Sequence, residues 1–417
     1  MNTALERGVE KLRSQVDARV SSYFSSCVHC GICAEACLFY TETGDARYTP
    51  IYKTEPLRKV WKQEHTFWGK LAKSLGLSKP LQEKDLADWE ELVYDGCSVC
   101  SRCSMVCPVG IDIAYLIRKV KEGLAAAGYV PKDLAEAGRR ALEFGSPMGL
   151  TAKSLKASIA EQEKESGFKI PVDQVGAEYL CMLSSNEVVT YPEFIASIAR
   201  IFSAAGVSWT LSSDYFEATN TGVQIGDTSI AAQLSGRIVA AAEKLKVKTV
   251  ISPECGHAYT TIRWDAPNFL HQKLPFKVVH IMELLDQLRR EGKLKTKGTL
   301  DERLTYHDPC NISRRGGVLE QPRDLLNMVA PNFVEMTDHG DMNWCCGGGG
   351  GISSNERAEP LRLKVFDVKE RQLNEINVTT MVTACSNCRM MLEDGLDERK
   401  MDVKVVGITE LIAEHLA

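Results

Sequence analysis

The chain has no apolar signal core, no membrane-length apolar run and no large excess of charge of one sign. Its first twenty residues, MNTALERGVEKLRSQVDARV, read as a charged amphipathic helix and not as a secretory leader. No stretch approaches the ~20 consecutive apolar residues a spanning helix requires, so a soluble or peripheral protein is expected. The formal net charge of -5 has its signs well mixed, which removes any general electrostatic reason to bind nucleic acid. Set against these absences are 15 cysteines in 417 residues. A chain this long holds two or three domains and buries enough core to need no staples. Short Cys-x2-Cys spacings without a leader therefore predict metal sites in a reducing cytoplasm, not disulfides.

Two runs share the spacing Cys-x2-Cys-x2-Cys-x3-Cys: Cys27, Cys30, Cys33 and Cys37, then Cys97, Cys100, Cys103 and Cys107. In two-cluster ferredoxins of this spacing the fourth cysteine of each run ligates the other cluster. The expected ligand sets are Cys27, Cys30, Cys33 and Cys107 for one [4Fe-4S] cubane, and Cys97, Cys100, Cys103 and Cys37 for the second. Zinc also uses Cys-x2-Cys spacing, but two tandem four-cysteine runs favour iron-sulfur clusters. Pro108 follows the second run as the pattern prefers; the first carries Leu38 instead, which loosens the turn and removes no ligand. Between the runs, Leu57, Val60, Trp61, Trp68, Leu71 and Leu75 fall near helical spacing on one face, with lysines interspersed. That face predicts burial against the domain's own core, or else a membrane surface or a membrane-embedded partner.

The C-terminal half repeats itself. VVHIMELL at Val278 to Leu285 recurs 127 residues later as VVGITELI at Val405 to Ile412, and KTVISPECGHAY around Cys255 recurs as TTMVTACSNCRM around Cys385. Short β-branched runs alternating with helical patterns predict parallel sheets with crossover helices, one sheet per repeat, with sites at the carboxyl ends of strands. The expected organisation is a helical ferredoxin-like domain over 1-145, a linker over 146-175, one repeat over 176-300 and a second over 301-417. The first copy is degenerate: it has Cys255 and Ala258 where the second has Cys385 and Cys388. Cys181 reads as a buried apolar cysteine beside a strand. Cys255, with Glu254 and His257 beside it, offers either an activated thiol with an imidazole proton donor or plain packing.

The second copy holds five cysteines: Cys310, the adjacent pair Cys345 and Cys346, and Cys385 with Cys388. Adjacent thiolates hold different irons of one compact cluster more readily than one distant partner. Because a cubane takes four thiolates, the fifth implies a spare ligand, a differently shaped cluster or an unrelated thiol. The run Gly347 to Gly351 lacks a following GK[ST], so it reads as close backbone approach to a cluster, not as a phosphate loop. Arg314 and Arg315 read as an attraction for an anionic sulfur substrate or as an exposed charge pair; His307 and Asp308 read as shaping the turn at Pro309.

The pattern Cys310-x34-Cys345-Cys346-x38-Cys385-x2-Cys388 resembles the CCG motif of the heterodisulfide reductase superfamily. With the two ferredoxin runs ahead of it, the resemblance covers nearly the whole chain. GDARYTPIYKTEPLRKV likewise resembles subunits of sulfate-reducer and sulfur-oxidiser complexes. The resemblance implies that all five cysteines hold one noncubane [4Fe-4S] cluster, with Cys255 and His257 beside it in the catalytic position. It implies the iron-sulfur catalytic subunit of a heterodisulfide reductase-like complex, passing electrons singly through two cubanes to form or reduce a disulfide or persulfide. Expected partners are a membrane cytochrome b-type subunit or a soluble flavin/iron-sulfur subunit, and a small thiol, disulfide or sulfur-carrier protein. Two other readings are a pure electron conduit and the iron-sulfur subunit of a 2-hydroxy acid (lactate or glycolate) oxidoreductase. Placement is expected to be cytoplasmic, or peripheral on the inner face of the membrane through a partner.

Overall fold

The computed structural model describes residues 3–218 and 221–417. Two compact units divide the chain: one takes residues up to Ala135 with Gly222–Thr228 and Gly347–Val368, the other Glu136–Thr221, Ser229–Cys346 and Lys369–Ala417. Boundaries read in chain order at 145 and 300 therefore miss an interleaving. The reason lies inside the first unit, where Arg357 pairs with Asp95 at 2.7 Å and with Glu90 at 3.0 Å, and Asn355 donates to Asp95 at 2.6 Å. These polar anchors tie the segment after the glycine run to the ferredoxin helices. Residues 146–175, read from the sequence as a linker with a charged helix, have that helix in the structure. They contain the helix Ala152–Ser166, whose Leu155 and Ile159 are buried one turn apart.

The first unit is helical, with no strand among its described residues. Helices Ala4–Ser14, Glu55–His65, Glu83–Tyr94 and Ile113–Ala127 pack around Leu12, Leu57, Leu86, Val93, Leu116 and Val120, all buried. Apolar residues spaced three and four apart put one stripe of each helix into that core. The stripe read between the two cysteine runs splits in two. Leu57 and Val60 are buried, whereas Trp68 (73% exposed), Leu71 and Leu75 face outward, beside Phe67. The break is at Thr66, whose hydroxyl accepts from the Gly69 N–H at 3.1 Å and starts a new helix, Phe67–Ser74; the cap resets the helical phase.

Among its described residues the second unit holds seven strands in two all-parallel sheets: β1 Tyr179–Cys181, β2 Trp209–Thr210, β3 Thr249–Ser252, β4 Lys277–His280, β5 Leu304–His307, β6 Thr380–Thr383 and β7 Lys404–Gly407. The first sheet runs β2-β1-β3-β4 and the second β5-β6-β7. β3 registers with β4 from Thr249 opposite Lys277, and β6 with β7 from Thr380 opposite Lys404. Each recurring octapeptide is thus a parallel strand running into a helix, Ile281–Arg290 in one copy and Ile408–Glu414 in the other. The central residues of β3 and β6, Val250, Ile251, Met381 and Val382, are fully buried, as strands covered on both faces require.

Candidate metal centres

Each ferredoxin run folds around two left-handed residues: His29 and Gly31 in the first, Val99 and Ser101 in the second. A β-branched residue such as Val99 at φ 54° is an outlier of the kind held in place at functional sites. Each run then makes a single helical turn, Ile32–Glu35 or Arg102–Met105, before its fourth cysteine. Burial pushes the Cys33 thiol up, and the neighbouring Cys27, Cys107 and Cys30 push it further. Cys103 is raised in the same way, with Cys100, Cys37 and Cys97 around it. One cavity is lined by Cys37, Cys97, Cys100 and Cys103, with Lys53 among its walls. The fold thus sets the fourth cysteine of each run with the first three of the other. The groups differ in exposure: Cys30 is exposed and Cys27 and Cys107 are half-buried, whereas Cys37, Cys97 and Cys103 are all buried.

Two lysines, each 1% exposed, stand at the second group. The Lys53 ammonium donates to the Gly96 carbonyl and lies 3.7 Å from the Cys37 sulfur. Lys121 donates to the carbonyls of Gly350 and Gln224 and sits 4.5 Å from the centre of the Tyr94 ring. Burial lowers Lys121 to about 8, while Cys97 and Asp95 pull it back up. The glycine run also belongs here. A Cβ on Gly350, at φ +66°, would lie 2.8 Å from the Cys97 carbonyl oxygen. Its close approach is therefore to the Cys97–Val99 loop.

The five cysteines of the second repeat gather in the other unit. Cys310 follows β5, and Cys385 follows β6 as the N-terminal cap of helix Ser386–Glu398, with Cys388 in its first turn. Sulfur atoms of Cys310 and Cys345 are 3.8 Å apart, and those of Cys346 and Cys388 3.3 Å apart. All five are buried. Cys385 is lowered to about 7, chiefly by the Cys388 thiol and then by backbone N–H groups of Cys388, Gly256 and Asn387, the usual effect of a helix N-terminus on a thiol. Asp308 accepts two bonds from Arg323 at 2.9 Å and one from the Gly340 N–H at 2.7 Å, which fixes the turn into Cys310. Arg314 is engaged on the Asp341 and Asn343 carbonyls and on Asn343 Oδ1 at 2.7 Å. It anchors the loop ahead of Cys345, a structural task that the sequence does not suggest.

His307, which reads from the sequence as shaping a turn, instead faces the thiols. It is fully buried, neither ring nitrogen has a hydrogen-bond partner among the described residues, and it groups within 4.8 Å of the Cys346 and Cys388 sulfurs. Burial, with the Lys369 charge beside it, holds the ring neutral. Lys369, 3% exposed, has neutral close partners: Gln372 Oε1 at 2.7 Å and the Met336 sulfur at 3.7 Å. Orphaned polar atoms and a buried cation whose close partners are neutral both call for a missing anionic group. Five soft thiols around that space fit an iron-sulfur cluster. The signal that points to His307 is its position at the carboxyl end of a parallel strand, three residues before Cys310.

Cys255 and His257 lie on the same side. The Cys255 thiol is buried, and burial and then Cys385 push it well up; the Ser386 N–H donates to the Glu254 carbonyl at 2.8 Å. His257 Nε2 is 3.2 Å from Asn311 Nδ2, which is 3.6 Å from the Cys310 sulfur. Gly256 permits this contact, since a Cβ there would meet the Asn311 Cβ at 2.8 Å. Cys181, on β1, is fully buried and its thiol bonds to the Met182 carbonyl.

Comparison with known proteins agrees with this geometry. A 4Fe-4S dicluster domain matches residues 23–111, and a CCG cysteine-rich domain matches residues 304–393. The chain is similar to the Hdr-like menaquinol oxidoreductase iron-sulfur subunit of Archaeoglobus profundus, 27% identical over 94% of this chain and 79% of that one. It is also similar to one of the subunits of the dihydromethanophenazine:CoB--CoM heterodisulfide reductase of Methanosarcina acetivorans, 27% identical over 94% of this chain and 93% of that one. A subunit of the fumarate reductase (CoM/CoB) of Methanothermobacter marburgensis is 25% identical over 97% of this chain and 75% of its own length. The dicluster segment, the CCG segment and this span of similarity support the heterodisulfide reductase-like superfamily for the chain.

Proposed function

We propose that the chain is the catalytic iron-sulfur subunit of its complex. In this reading Cys27, Cys30, Cys33 and Cys107 would hold one cubane, Cys97, Cys100, Cys103 and Cys37 the second, and Cys310, Cys345, Cys346, Cys385 and Cys388 a noncubane cluster. A disulfide or persulfide is reduced or formed there. The observation that carries the reading is the five buried thiols set beside a half that offers Cys255 and His257 but no complete ligand set. When bound, the cluster supplies single electrons and an iron site for sulfur. The surrounding residues do the rest. Cleaving a disulfide to two thiols takes two electrons and two protons; His257, whose Nε2 accepts from Asn311 Nδ2 so that its proton sits on Nδ1, would supply one proton to a leaving sulfur and solvent the other. Lys369 would stabilise negative charge at the thiolates. The exposed face of Phe67, Trp68, Leu71 and Leu75, with Lys70 and Lys73, suits a membrane cytochrome b-type subunit, and the names of the menaquinol and dihydromethanophenazine relatives support such a partner over a soluble flavin/iron-sulfur one.

Anaerobic reconstitution followed by oxidation with candidate thiols tests this, with the paramagnetic spectrum as readout. A thiol-dependent change in the third cluster's signal is the expected result; if no thiol alters it, the conduit reading replaces the catalytic one. In the same preparation His257→Gln should lower disulfide turnover by about 100-fold, as loss of a general acid does. Unchanged turnover in Cys255→Ala would assign that thiol to packing.

A further inference from the structure

We propose that Lys53 and Lys121 make the cubane of Cys37, Cys97, Cys100 and Cys103 the more easily reduced of the two, so that electrons collect there instead of on the outer cubane. The inference rests on the cofactor reading above. Reduction adds a negative charge to a cluster that is already anionic, and a buried, poorly solvated site resists that addition. By burial alone the inner group, with Cys37, Cys97 and Cys103 each 9% exposed, would be harder to reduce than the outer group, where Cys30 is exposed. An electron arriving at the outer cubane would then stay there.

The two ammonium groups reverse that order. Lys53 bonds to the carbonyl of Gly96, the residue before Cys97, and its Nζ is 3.7 Å from the Cys37 sulfur. Lys121 holds Gly350, which presses on the Cys97–Val99 loop. Among the described residues their close partners are carbonyls, a thiol and the rings of Phe39, Tyr48 and Tyr94. Asp95, the carboxylate acting on Lys121, is itself held by Arg357 and Asn355. A buried ammonium without a carboxylate of its own is costly, and an anionic cluster is the charge that offsets the cost. The placement is specific to this group: the cavity lined by Cys37, Cys97, Cys100 and Cys103 has Lys53 in its wall, with its ammonium 3.7 Å from the Cys37 sulfur. Fixed positive charge raises a cluster's potential because it stabilises the reduced form more than the oxidised one.

The test is an anaerobic redox titration of the reconstituted full chain, followed by low-temperature electron paramagnetic resonance. Cys100→Ser and Cys30→Ser, each altering one cubane, assign the two signals. Lys53→Gln and Lys121→Gln should each shift the reduction equilibrium of the Cys100-assigned cubane at least tenfold toward the oxidised form, about 59 mV for a one-electron couple. The Cys30-assigned cubane should stay where it was, and the double variant should invert the order of the two. Lys121→Arg, which keeps the charge, should restore the midpoint. Unmoved midpoints, or both cubanes shifting together, overturn the proposal. Loss of the inner cubane in Lys121→Gln but not in Lys121→Arg, with the outer signal intact, supports it; loss in both overturns it in favour of packing. Absence of any cubane signal in the unmodified chain would instead sink the cofactor reading.

Discussion

His280 illustrates what burial does to a single titratable side chain. It ends β4 and caps the following helix, its Nδ1 accepting from the Met282 N–H at 3.2 Å, so the neutral ring carries its proton on Nε2. Burial pushes its pKa down to about 3, slightly offset by the Pro253 carbonyl. The unfolded chain takes up a proton near pH 6.5, while the folded chain does not until about pH 3. Stability from the neutral ring is therefore full above pH 6.5 and is lost as pH falls through the window below it, at on the order of 1 kcal/mol per pH unit. His280→Asn keeps a capping acceptor and removes the titration. Denaturant unfolding of both proteins between pH 7 and pH 5 should show the variant gaining on the parent as pH falls; parallel profiles would contradict the assignment. Cysteine identity and spacing are legible at this scale. The inward turn of His307 and the buried ammonium groups of Lys53, Lys121 and Lys369 are not, since no local pattern reports which long polar side chain is enclosed.

At the scale of elements, the glycine run separates two kinds of requirement. A Cβ on Gly347, at φ +89°, would make only ordinary contacts, with nothing nearer than 3.5 Å, whereas Gly350 would drive one into the Cys97 backbone. Gly347→Ala should cost the left-handed penalty of about 1 kcal/mol. Gly350→Ala should cost several-fold more and release iron from the cubane nearest Cys97, because backbone cannot yield as a flexible side chain does. Thermal unfolding with iron analysis distinguishes them, and equal losses in the two variants would show that close approach is not what Gly350 provides. The recurring strand-helix pairs are readable from β-branched runs followed by helical spacing. The turn-out of Trp68 is not, because a single capping threonine changes a helical phase that periodicity alone carries straight on.

At the scale of the molecule, the proposed ligand sets exchange the fourth cysteines of the two runs. If Cys37 serves the cubane of Cys97, Cys100 and Cys103, Cys37→Ser should perturb that cubane's signal and spare the one assigned through Cys30, although Cys37 lies in the first run. Loss of the Cys30-assigned signal instead would return each cubane to its own run. Among the described residues no helix is long and apolar enough to cross a membrane.

By itself the sequence determined the chemistry and its modular order: eight cysteines in ferredoxin spacing, five in the CCG pattern, and two copies of a parallel strand-helix unit. Spacing and periodicity are local, and metal ligation and secondary structure respond to local pattern. Only the tertiary structure decided which distant segments share a unit and what surrounds each group of thiols. It brought Gly347–Val368 back to the ferredoxin helices, set Lys53 and Lys121 beside one cysteine group, and enclosed His307 with the Cys346 and Cys388 thiols. Those arrangements follow from burial and charge compensation, which are sums over neighbours far apart in the chain.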